Sequence, residues 1–402
     1  MLSVAMFIAK FGLQLVSSVV VARLLSPEIY GVFAVVLVFI YLLEMFSDMG
    51  LRSLLLTREG EVSPEFLQTC WTLQIVRGGV IFGAVIVIAL IIAALQGWGI
   101  VNPDSAYSAP VLTWDMVGVA ASILLGAIGP TTPYIYERDM KFGHVTLSLT
   151  VSSAIGLFVT IGIALMNPTI WALVIGTAFH RLALVLYGYL VFKGVPMRFR
   201  WDKEALGVAV DRGKWLWGHS VLSAATNSAD RLLFGVFMDS STFGFYFIAT
   251  RIVGFCANFL RLVDTRMGLQ VFTHILKHNT KQFQHSYYRF RMLFDVLAGT
   301  GAGMLFVLAP LIVDVVFDDR YSEVAPIIQV LSLGLMLAGP LILRSAFSAE
   351  RQFKTMTLLS MVTAGTIWVG LLVSLFVFES IEDALLVIVI FRLTEAILLF
   401  WR

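Results

Sequence analysis

The sequence contains few charged side chains and almost no cysteine. Charged residues make up 13% of the chain, whereas a soluble domain carries about 25%. Hydrophobic residues make up 59%. This balance excludes a soluble globular protein and predicts an integral membrane protein. The two cysteines, Cys70 and Cys256, both lie in apolar segments, so we expect no disulfide framework.

The sequence also lacks the usual patterns of catalysis and of metal or nucleotide binding. It has no CxxC pair, no GxxxxGK[ST] phosphate loop, no HExxH motif and no GxSxG motif between a strand and a helix. These absences argue against a zinc site, ATP hydrolysis and serine-dependent hydrolysis. We therefore expect a protein that is not an enzyme, with no metal, no cofactor and no nucleic-acid partner.

What the sequence has instead is a series of long apolar segments. A helix needs about 20 mostly apolar residues to cross a bilayer. The first apolar segment is followed directly by another, which is typical of a spanning helix rather than a cleaved leader. We predict an all-α integral membrane protein with twelve transmembrane spans, at 3–22, 31–49, 70–95, 113–136, 145–166, 170–192, 215–236, 243–260, 292–317, 324–343, 355–377 and 384–401.

Lysine and arginine are distributed unevenly between the loops. Each loop takes the number of the span that precedes it. With this numbering, 20 of the 28 basic residues fall in the even-numbered loops and the C-terminal tail. Only Arg23 and Arg320 fall in odd-numbered loops. Because basic loops stay on the cytoplasmic side of a membrane, we predict that both termini are cytoplasmic.

Four short motifs occur twice and in the same order. The pairs are SPEIYGVF around Gly31 with DSSTFGFY around Gly244, MGL at Met49 with MGL at Met267, Gly129-Pro130 with Gly339-Pro340, and YERDMKF at Tyr136 with AERQFKT at Ala349. The intervals lie close to 213 residues, which covers six predicted spans. Since six is even, the two copies share one orientation, as in transporters built from parallel repeats. We predict an N-terminal six-helix lobe at 1–200 and a C-terminal six-helix lobe at 201–402, around a central cavity.

Charged residues inside the predicted spans are the candidates for function. A charge at the centre of a bilayer costs at least about 2.5–3.5 kcal/mol, so it needs a partner, water or a substrate. The bases are Lys10, Arg77, Arg181, Arg231, Arg251 and Arg392, and the acids of interest are Glu44, Asp48, Asp230, Asp295, Asp314 and Glu395. Several of them, Arg77 included, are expected near the headgroups, where long side chains reach water.

Polar side chains form one stripe on the first span and one on the seventh. The stripes consist of Lys10, Gln14, Ser17 and Ser18, and of Ser220, Ser223, Asn227 and Arg231. Spacings of three and four residues put each set on one helix face. Such stripes either join neighbouring helices by hydrogen bonds or line a wet cavity. The lysine and the arginine favour the cavity.

A cavity with more bases than acids predicts an anionic cargo, since guanidinium groups match phosphate and pyrophosphate oxygens. The predicted cavity residues are Lys10, Gln14, Asn227, Arg231, Arg251, Arg181 and Arg392. The candidates for ion or proton coupling are Asp230, Glu44 and His180. Three structural alternatives remain: Arg392 and Glu395 neutralise each other, His180 joins two helices, and Asp230 pairs with Arg251 or Lys10.

The stretches ARLLSPEIYGVFAVVLVFIYLLEMFSDMGLRSLLL, PYIYERDMKFGHV and SADRLLFGVFMDSSTFGFYFIATRIVGF resemble the polysaccharide-transporter branch of the multidrug, oligosaccharidyl-lipid and polysaccharide exporter superfamily. The resemblance covers nearly the whole chain, and RLLSPEIYG is its most specific motif. It implies a two-lobed flippase of the bacterial inner membrane. Such a flippase moves polyprenyl-pyrophosphate-linked oligosaccharides to the outer leaflet by alternating access, surrounded by membrane lipids and by other polysaccharide-assembly proteins.

Three other functions remain open at this stage. A cation-coupled multidrug antiporter of the same superfamily shares the fold, but acids are expected to dominate its cavity. A peptidoglycan-precursor flippase has closely related chemistry. A membrane polysaccharide polymerase or ligase needs a large outer loop with paired acids or histidines, and the predicted loops contain none.

Overall fold

The protein is represented by a computed structural model that describes residues 19–47, 62–203, 228–264, 283–337 and 353–377, and some isolated positions between them. In these ranges the regular structure is helical. The α-helices are α1 (Pro27–Phe46), α2 (Pro64–Gly97), α3 (Leu112–Ala127), α4 (Thr132–Arg138), α5 (Phe142–Met166), α6 (Ile170–Val191), α7 (Ser240–Val263), α8 (Phe283–Val316), α9 (Val324–Met336) and α10 (Phe353–Val377).

Six helices in the described ranges are long and apolar enough to cross a membrane, and α3 with α4 adds a bent seventh candidate. The six are α1, α2, α5, α6, α7 and α8, each of which overlaps a predicted span. The predicted class, an all-helical membrane protein, is thereby confirmed. The total of twelve spans stays a prediction, because 3–22 and 384–401 lie largely, and 215–236 partly, outside the described residues.

The predicted span 113–136 is not one straight helix, and the prediction is corrected here. The axes of α3 and α4 differ by 67° across a four-residue break. The break contains Gly129-Pro130, and a proline there removes an N–H group and disfavours helical backbone in the residue before it. The span therefore ends in a short helix that departs from the axis of α3.

Side chains of α2 satisfy the carbonyl groups that the break leaves without helical partners. Gln74 donates through Nε2 to the carbonyl oxygens of Ala127 and Gly129, at 2.9 and 3.1 Å. Trp71 donates through Nε1 to the carbonyl oxygen of Ile128 at 3.0 Å. Because irregular backbone at membrane depth persists only where its polar groups are satisfied, these contacts stabilise the bend.

The structure divides into two compact units. The first consists of Met1–Ala224 with Met238–Ser241, and the second of Ala225–Phe237 with Thr242–Arg402. In the first unit α5 packs along α6, and α3 packs against both α2 and α6. In the second unit α8 packs along α9. The predicted lobe boundary at residue 200 stays a prediction.

The turn before α1 explains the most specific sequence motif. Pro27 occupies the start of the helix, where its fixed φ suits the first turn. Gly31 lies so close to Ser240 that a Cβ at Gly31 would be 1.8 Å from the carbonyl oxygen of Ser240. Glu28 accepts a hydrogen bond from the Ser241 hydroxyl at 2.9 Å, and these two residues are 213 positions apart. Equivalent positions of the two predicted copies thus contact each other inside the first unit.

Replacing Gly31 by alanine is expected to destabilise the protein, because the obstructing atom is a backbone oxygen and the chain would have to shift. Overpacking of this kind costs about 1–3 kcal/mol. Gly83→Ala is the matched control, since a Cβ at Gly83 meets nothing within 4 Å and alanine favours a helix interior by about 1 kcal/mol. Thermal unfolding of the detergent-purified variants, followed by tryptophan fluorescence, measures both effects. An unchanged midpoint for Gly31→Ala would contradict the contact.

Candidate functional site

The ten predicted site residues fall into three groups. Lys10, Gln14, Asn227 and Arg392 lie outside the described residues, so their assignment stays a prediction. Glu44, His180 and Arg181 belong to the first unit, and Asp230, Arg231 and Arg251 belong to the second. The site is therefore described in two parts, one in each unit.

In the first unit, three helices contribute to a cluster that we name the charged layer, consisting of Glu44, Arg77 and Arg181. Arg181 of α6 forms an ion pair with Glu44 of α1, with 3.1 Å between Nη2 and Oε1. Arg77 of α2 donates to the Ser47 hydroxyl at 3.0 Å and to the carbonyl oxygen of Glu44. The charged layer thus joins α1, α2 and α6 through the end of α1.

The charged layer carries more positive than negative charge. Arg181 bonds to the carboxylate of Glu44, and these two side chains remain 33% and 26% exposed, whereas Arg77 donates to the backbone carbonyl oxygen of Glu44. Arg77 is hydrogen-bonded within the unit, and its expected depth near the headgroups stays a prediction. Glu44, predicted as a coupling residue, is an ion-pair partner in this conformation. The partly exposed guanidinium of Arg181 leaves donors for an anion.

Two glycines leave room for the adjacent side chains His180 and Arg181. A Cβ at Gly126 of α3 would be 3.1 Å from the Cδ atom of Arg181, and a Cβ at Gly156 of α5 would be 2.7 Å from the Cβ atom of His180. Neighbouring residues on a helix point about 100° apart. Arg181 therefore faces α3 and α1, while His180 packs against α5. The coupling role of His180 and its alternative, a hydrogen bond between helices, both stay predictions.

A cavity of about 390 Å³ lies in the first unit beside the break between α3 and α4. Most of its lining is apolar, and Gln74, Tyr134, Glu137 and Ser148 contribute the polar groups. Glu137 belongs to the sequence motif YERDMKF. The volume lies at the lower end of small-ligand pockets, so this cavity does not enclose an oligosaccharide on a lipid carrier.

In the second unit, Asp230 has a different partner from the expected one. The hydroxyl of Tyr246 donates to Oδ2 of Asp230, and the Tyr246 ring is buried against Phe234 with 5.0 Å between ring centroids. Among the described residues Asp230 forms no ion pair. The expected pairing with Arg251 is therefore wrong for this conformation, and Lys10 lies outside the described residues.

Arg231 carries a charge that no described side chain balances. Its Nε atom is buried without a hydrogen-bond partner, and no ion pair of Arg231 occurs within the described ranges. Arg251, on α7, is exposed. Because Asp230 is hydrogen-bonded to a neutral phenol, the adjacent guanidinium of Arg231 is available to an anionic ligand.

The sequence reasoning overlooked Asp115. This residue lies in the first turn of α3 and is 0% exposed. Neither of its carboxyl oxygens has a hydrogen-bond partner in the described part of the chain. The signal was present, because an acid inside the predicted span 113–136 is as costly as Glu44 in its own span.

These observations define a class, namely a multi-pass α-helical membrane protein with charged groups inside its helical units. Solved structures with a similar fold include the lipid II flippase MurJ in an inward-closed conformation, with 15% identity, a TM-score of 0.74 and coverage of 100% of this chain and 86% of that one. They also include an inward-facing multidrug resistance transporter of the MATE family, with 12% identity, a TM-score of 0.71 and coverage of 98% and 93%. At such identities the likeness concerns the fold alone.

The sequence comparison narrows the class to one family. The family described as polysaccharide biosynthesis protein matches residues 20–326, and the chain belongs to this family, which confirms the resemblance of its motifs. The lipopolysaccharide biosynthesis protein WzxC of Escherichia coli K12 is 21% identical over 321 residues, which is 80% of this chain and 63% of that protein. The succinoglycan biosynthesis transport protein ExoT of Rhizobium meliloti 1021 is 24% identical over 242 residues, 60% and 46% of the two lengths. The chain thus spans less than two thirds of either relative.

A double-mutant cycle on Glu44→Gln and Arg181→Gln is expected to show coupling of about 0.5–3 kcal/mol, the range for residues in one ion-pair network. Each single variant should destabilise, because it leaves a charge without its partner between helices, and the double variant should lose less than the sum. The matched control is the more exposed Arg200–Glu65 pair, at 3.4 Å, where coupling should be about 0–1 kcal/mol. Thermal unfolding measures both cycles. Additive losses at Glu44 and Arg181 would contradict the charged layer.

Proposed function

We propose that the chain is a flippase that moves a polyprenyl-pyrophosphate-linked oligosaccharide from the cytoplasmic to the outer leaflet of a bacterial inner membrane. Membership of the polysaccharide biosynthesis family supports this class of cargo. The structural observation that carries the proposal is the guanidinium of Arg231, whose Nε atom is buried without a hydrogen-bond partner in the described part of the chain. A pyrophosphate group is the part of such a cargo that a guanidinium recognises.

In the proposed inward-open state, Arg231 binds pyrophosphate oxygens through the fork of its guanidinium group, and Arg251 of the same unit adds positive charge. Oδ2 of Asp230 accepts the hydrogen bond of Tyr246, and Asp230 forms no ion pair with Arg231 within the described residues. The prenyl chain stays in the lipid, and the sugars follow the head group through a polar cavity. The cargo then leaves when the protein opens on the other side.

The charge balance favours an anionic cargo over a cationic drug. In the charged layer the only acid, Glu44, is paired with Arg181, and Asp230 is hydrogen-bonded to Tyr246. A cation-coupled antiporter needs acids that are free to meet its cargo. A peptidoglycan-precursor flippase remains the second candidate, because the lipid II flippase MurJ has a similar fold over the whole chain.

The orientation, the membrane and the partners belong to the same proposal. The loop charges predict cytoplasmic termini, so the basic loop at 193–214 would face the cytoplasm and the loop at 98–111 would face outward. Synthesis of the cargo on the cytoplasmic face and polymerisation on the outer face would place the protein beside other membrane proteins of polysaccharide assembly. The proposed role is transport without covalent chemistry.

Arg231→Ala is expected to lower polysaccharide export at least tenfold, since hydrogen bonds to a charged group contribute about 1.5–3 kcal/mol and 1.4 kcal/mol corresponds to a factor of ten. Arg231→Lys keeps the charge but loses the planar fork, so it should restore export only in part. The measurement is surface polysaccharide in cells that depend on this protein, normalised to the amount of protein in the membrane.

Arg320→Ala is the matched control for this experiment. Arg320 is an arginine outside the predicted cavity, and it pairs with Asp318 in the turn between α8 and α9. Its removal should leave export unchanged. Normal export by Arg231→Ala at a normal membrane level would refute the role of Arg231 in cargo binding.

A further inference from the structure

Asp115 is the most completely buried acid among the described residues. Its side chain is 0% exposed, and both carboxyl oxygens lack hydrogen-bond partners in the described part of the chain. Its backbone N–H is bonded to the carbonyl oxygen of Val111 at 3.1 Å, so the residue is part of the regular helix. Native proteins leave few buried polar groups unsatisfied, and each one calls for an explanation.

The contacts of α3 show that Asp115 is far from the charged layer. Gly78 of α2 lies against Ala127, and Arg181 of α6 lies against Gly126. Gly126 follows Asp115 by eleven residues, which corresponds to about 16 Å along a helix axis. Since Arg181 is also held by Glu44, it does not neutralise Asp115.

The level of α3 at which Asp115 lies is apolar. Gly118, one turn further on, would place a Cβ 2.8 Å from a methyl carbon of Val174 on α6. On α1, residues 31–36 lie at this level, eleven residues before the charged layer, and all of them are buried. On α2, the same spacing from Arg77 leads to Ile88, and the next residue, Ala89, is 0% exposed. The described side chains at this level are therefore apolar, and they include the rings of Trp171 and Phe33.

The titratable groups on the surrounding elements, with Arg23 just before α1, donate no hydrogen bond to either carboxyl oxygen of Asp115 in the described part of the chain. Those groups are Glu28, Tyr30, Tyr41 and Glu44 on α1, Glu65, Cys70 and Arg77 on α2, His180, Arg181, Tyr187 and Tyr189 on α6, and Tyr107 in the short helix before α3. By position, Tyr30 and Tyr107 are the nearest of them to Asp115. Both are phenols, and burial raises the pKa of Tyr107, so its hydroxyl stays protonated and neutral.

An ionised carboxylate in these surroundings would cost several kcal/mol, because the side chain is fully buried and no described residue donates a hydrogen bond to it. A group in this position takes up a proton instead. We propose that Asp115 is a proton-binding site of this protein, neutral in the conformation described here, and that it releases its proton in a conformation that opens the start of α3 to water. This site differs from Glu44, Asp230 and His180, the coupling residues predicted from the sequence.

The loop before α3 supplies a route by which conformation reaches Asp115. The loop at 98–111 ends directly at the first turn of α3, and the N–H of Ala106 donates to the carbonyl oxygen of Met238 at 2.9 Å. Met238 lies two residues before the start of α7. A shift of the beginning of α7 would therefore pull on the loop and admit water to the carboxyl group. The exchanged proton would be the coupling ion, a role that rests on the proposed function.

Infrared spectroscopy of the purified protein in lipid nanodiscs tests the site without any cargo. A protonated carboxyl group has a carbonyl stretching band that an ionised one lacks. At neutral pH we expect this band in the wild type, its loss in Asp115→Asn, and its presence in Asp104→Asn, a control that removes an exposed acid from the adjoining loop. Asparagine has nearly the shape of the neutral acid, so the variant should fold. A band that persists in Asp115→Asn, or is absent from the wild type, would overturn the proposal.

A transport measurement separates this proposal from the proposed function. In proteoliposomes with a pH gradient, the wild type and Asp104→Asn should translocate a polyprenyl-pyrophosphate oligosaccharide faster than without the gradient, and Asp115→Asn should lose this stimulation. Stimulation retained by Asp115→Asn would reject the coupling role of Asp115. Absence of translocation by the wild type, with the infrared band present and lost in Asp115→Asn, would reject the flippase and leave the proton site in place.

Discussion

The requirement that every polar group inside a membrane protein find a partner determines much of this structure. Apolar side chains make up most of each helix, so a charged group or a carbonyl group without a helical hydrogen bond finds few partners. The break between α3 and α4 persists because Gln74 and Trp71 bind its carbonyl oxygens. Glu44 lies at the end of α1 with Arg181 as its partner. Asp230 is bonded to the hydroxyl of Tyr246.

Several buried polar atoms lack a hydrogen-bond partner within the described residues, Oδ1 of Asp230 among them, and we assign function to two of the groups concerned. Arg231 has a positive charge without an acid, which is a disadvantage for the empty protein and an advantage once a pyrophosphate binds. Asp115 has a carboxyl group without a base, which is tolerable only when the group carries a proton. A coupled transporter needs one site that binds its cargo and another that binds its coupling ion. Arg231 is the candidate for the first site, and Asp115 is the candidate for the second.

The sequence predicted those features that depend on local composition. Long apolar segments gave the membrane helices, and the SPEIYG motif gave the turn before α1, where Gly31 lies against the backbone of Ser240. The bend in the predicted span 113–136 was missed, because the hydropathy of the segment does not change at Gly129-Pro130. The proline itself was the available signal.

The partners of the charged residues were harder to predict, because they are distant in sequence. Glu44 and Arg181 are 137 positions apart, and nothing in the pattern of either helix selects that pair. For Arg77 the sequence predicted only a depth near the headgroups, and the Ser47 hydroxyl to which it donates was not considered. Asp230 was expected beside a base, although a tyrosine hydroxyl also satisfies a carboxylate. The free-energy cost of a charge inside a membrane helix indicates which residues are candidates for function. Their partners follow only from the packing of the helices.

The central claim is that this chain moves a lipid-linked oligosaccharide across a membrane, and translocation by the purified protein tests it most directly. Proteoliposomes would contain a polyprenyl-pyrophosphate oligosaccharide with a fluorescent label on the sugar, distributed over both leaflets. An impermeant reductant added outside destroys the label in the outer leaflet. The account predicts that vesicles with the protein lose nearly all of their fluorescence, while protein-free vesicles lose only the outer-leaflet share. Loss of only that share in vesicles that contain the folded protein would contradict it.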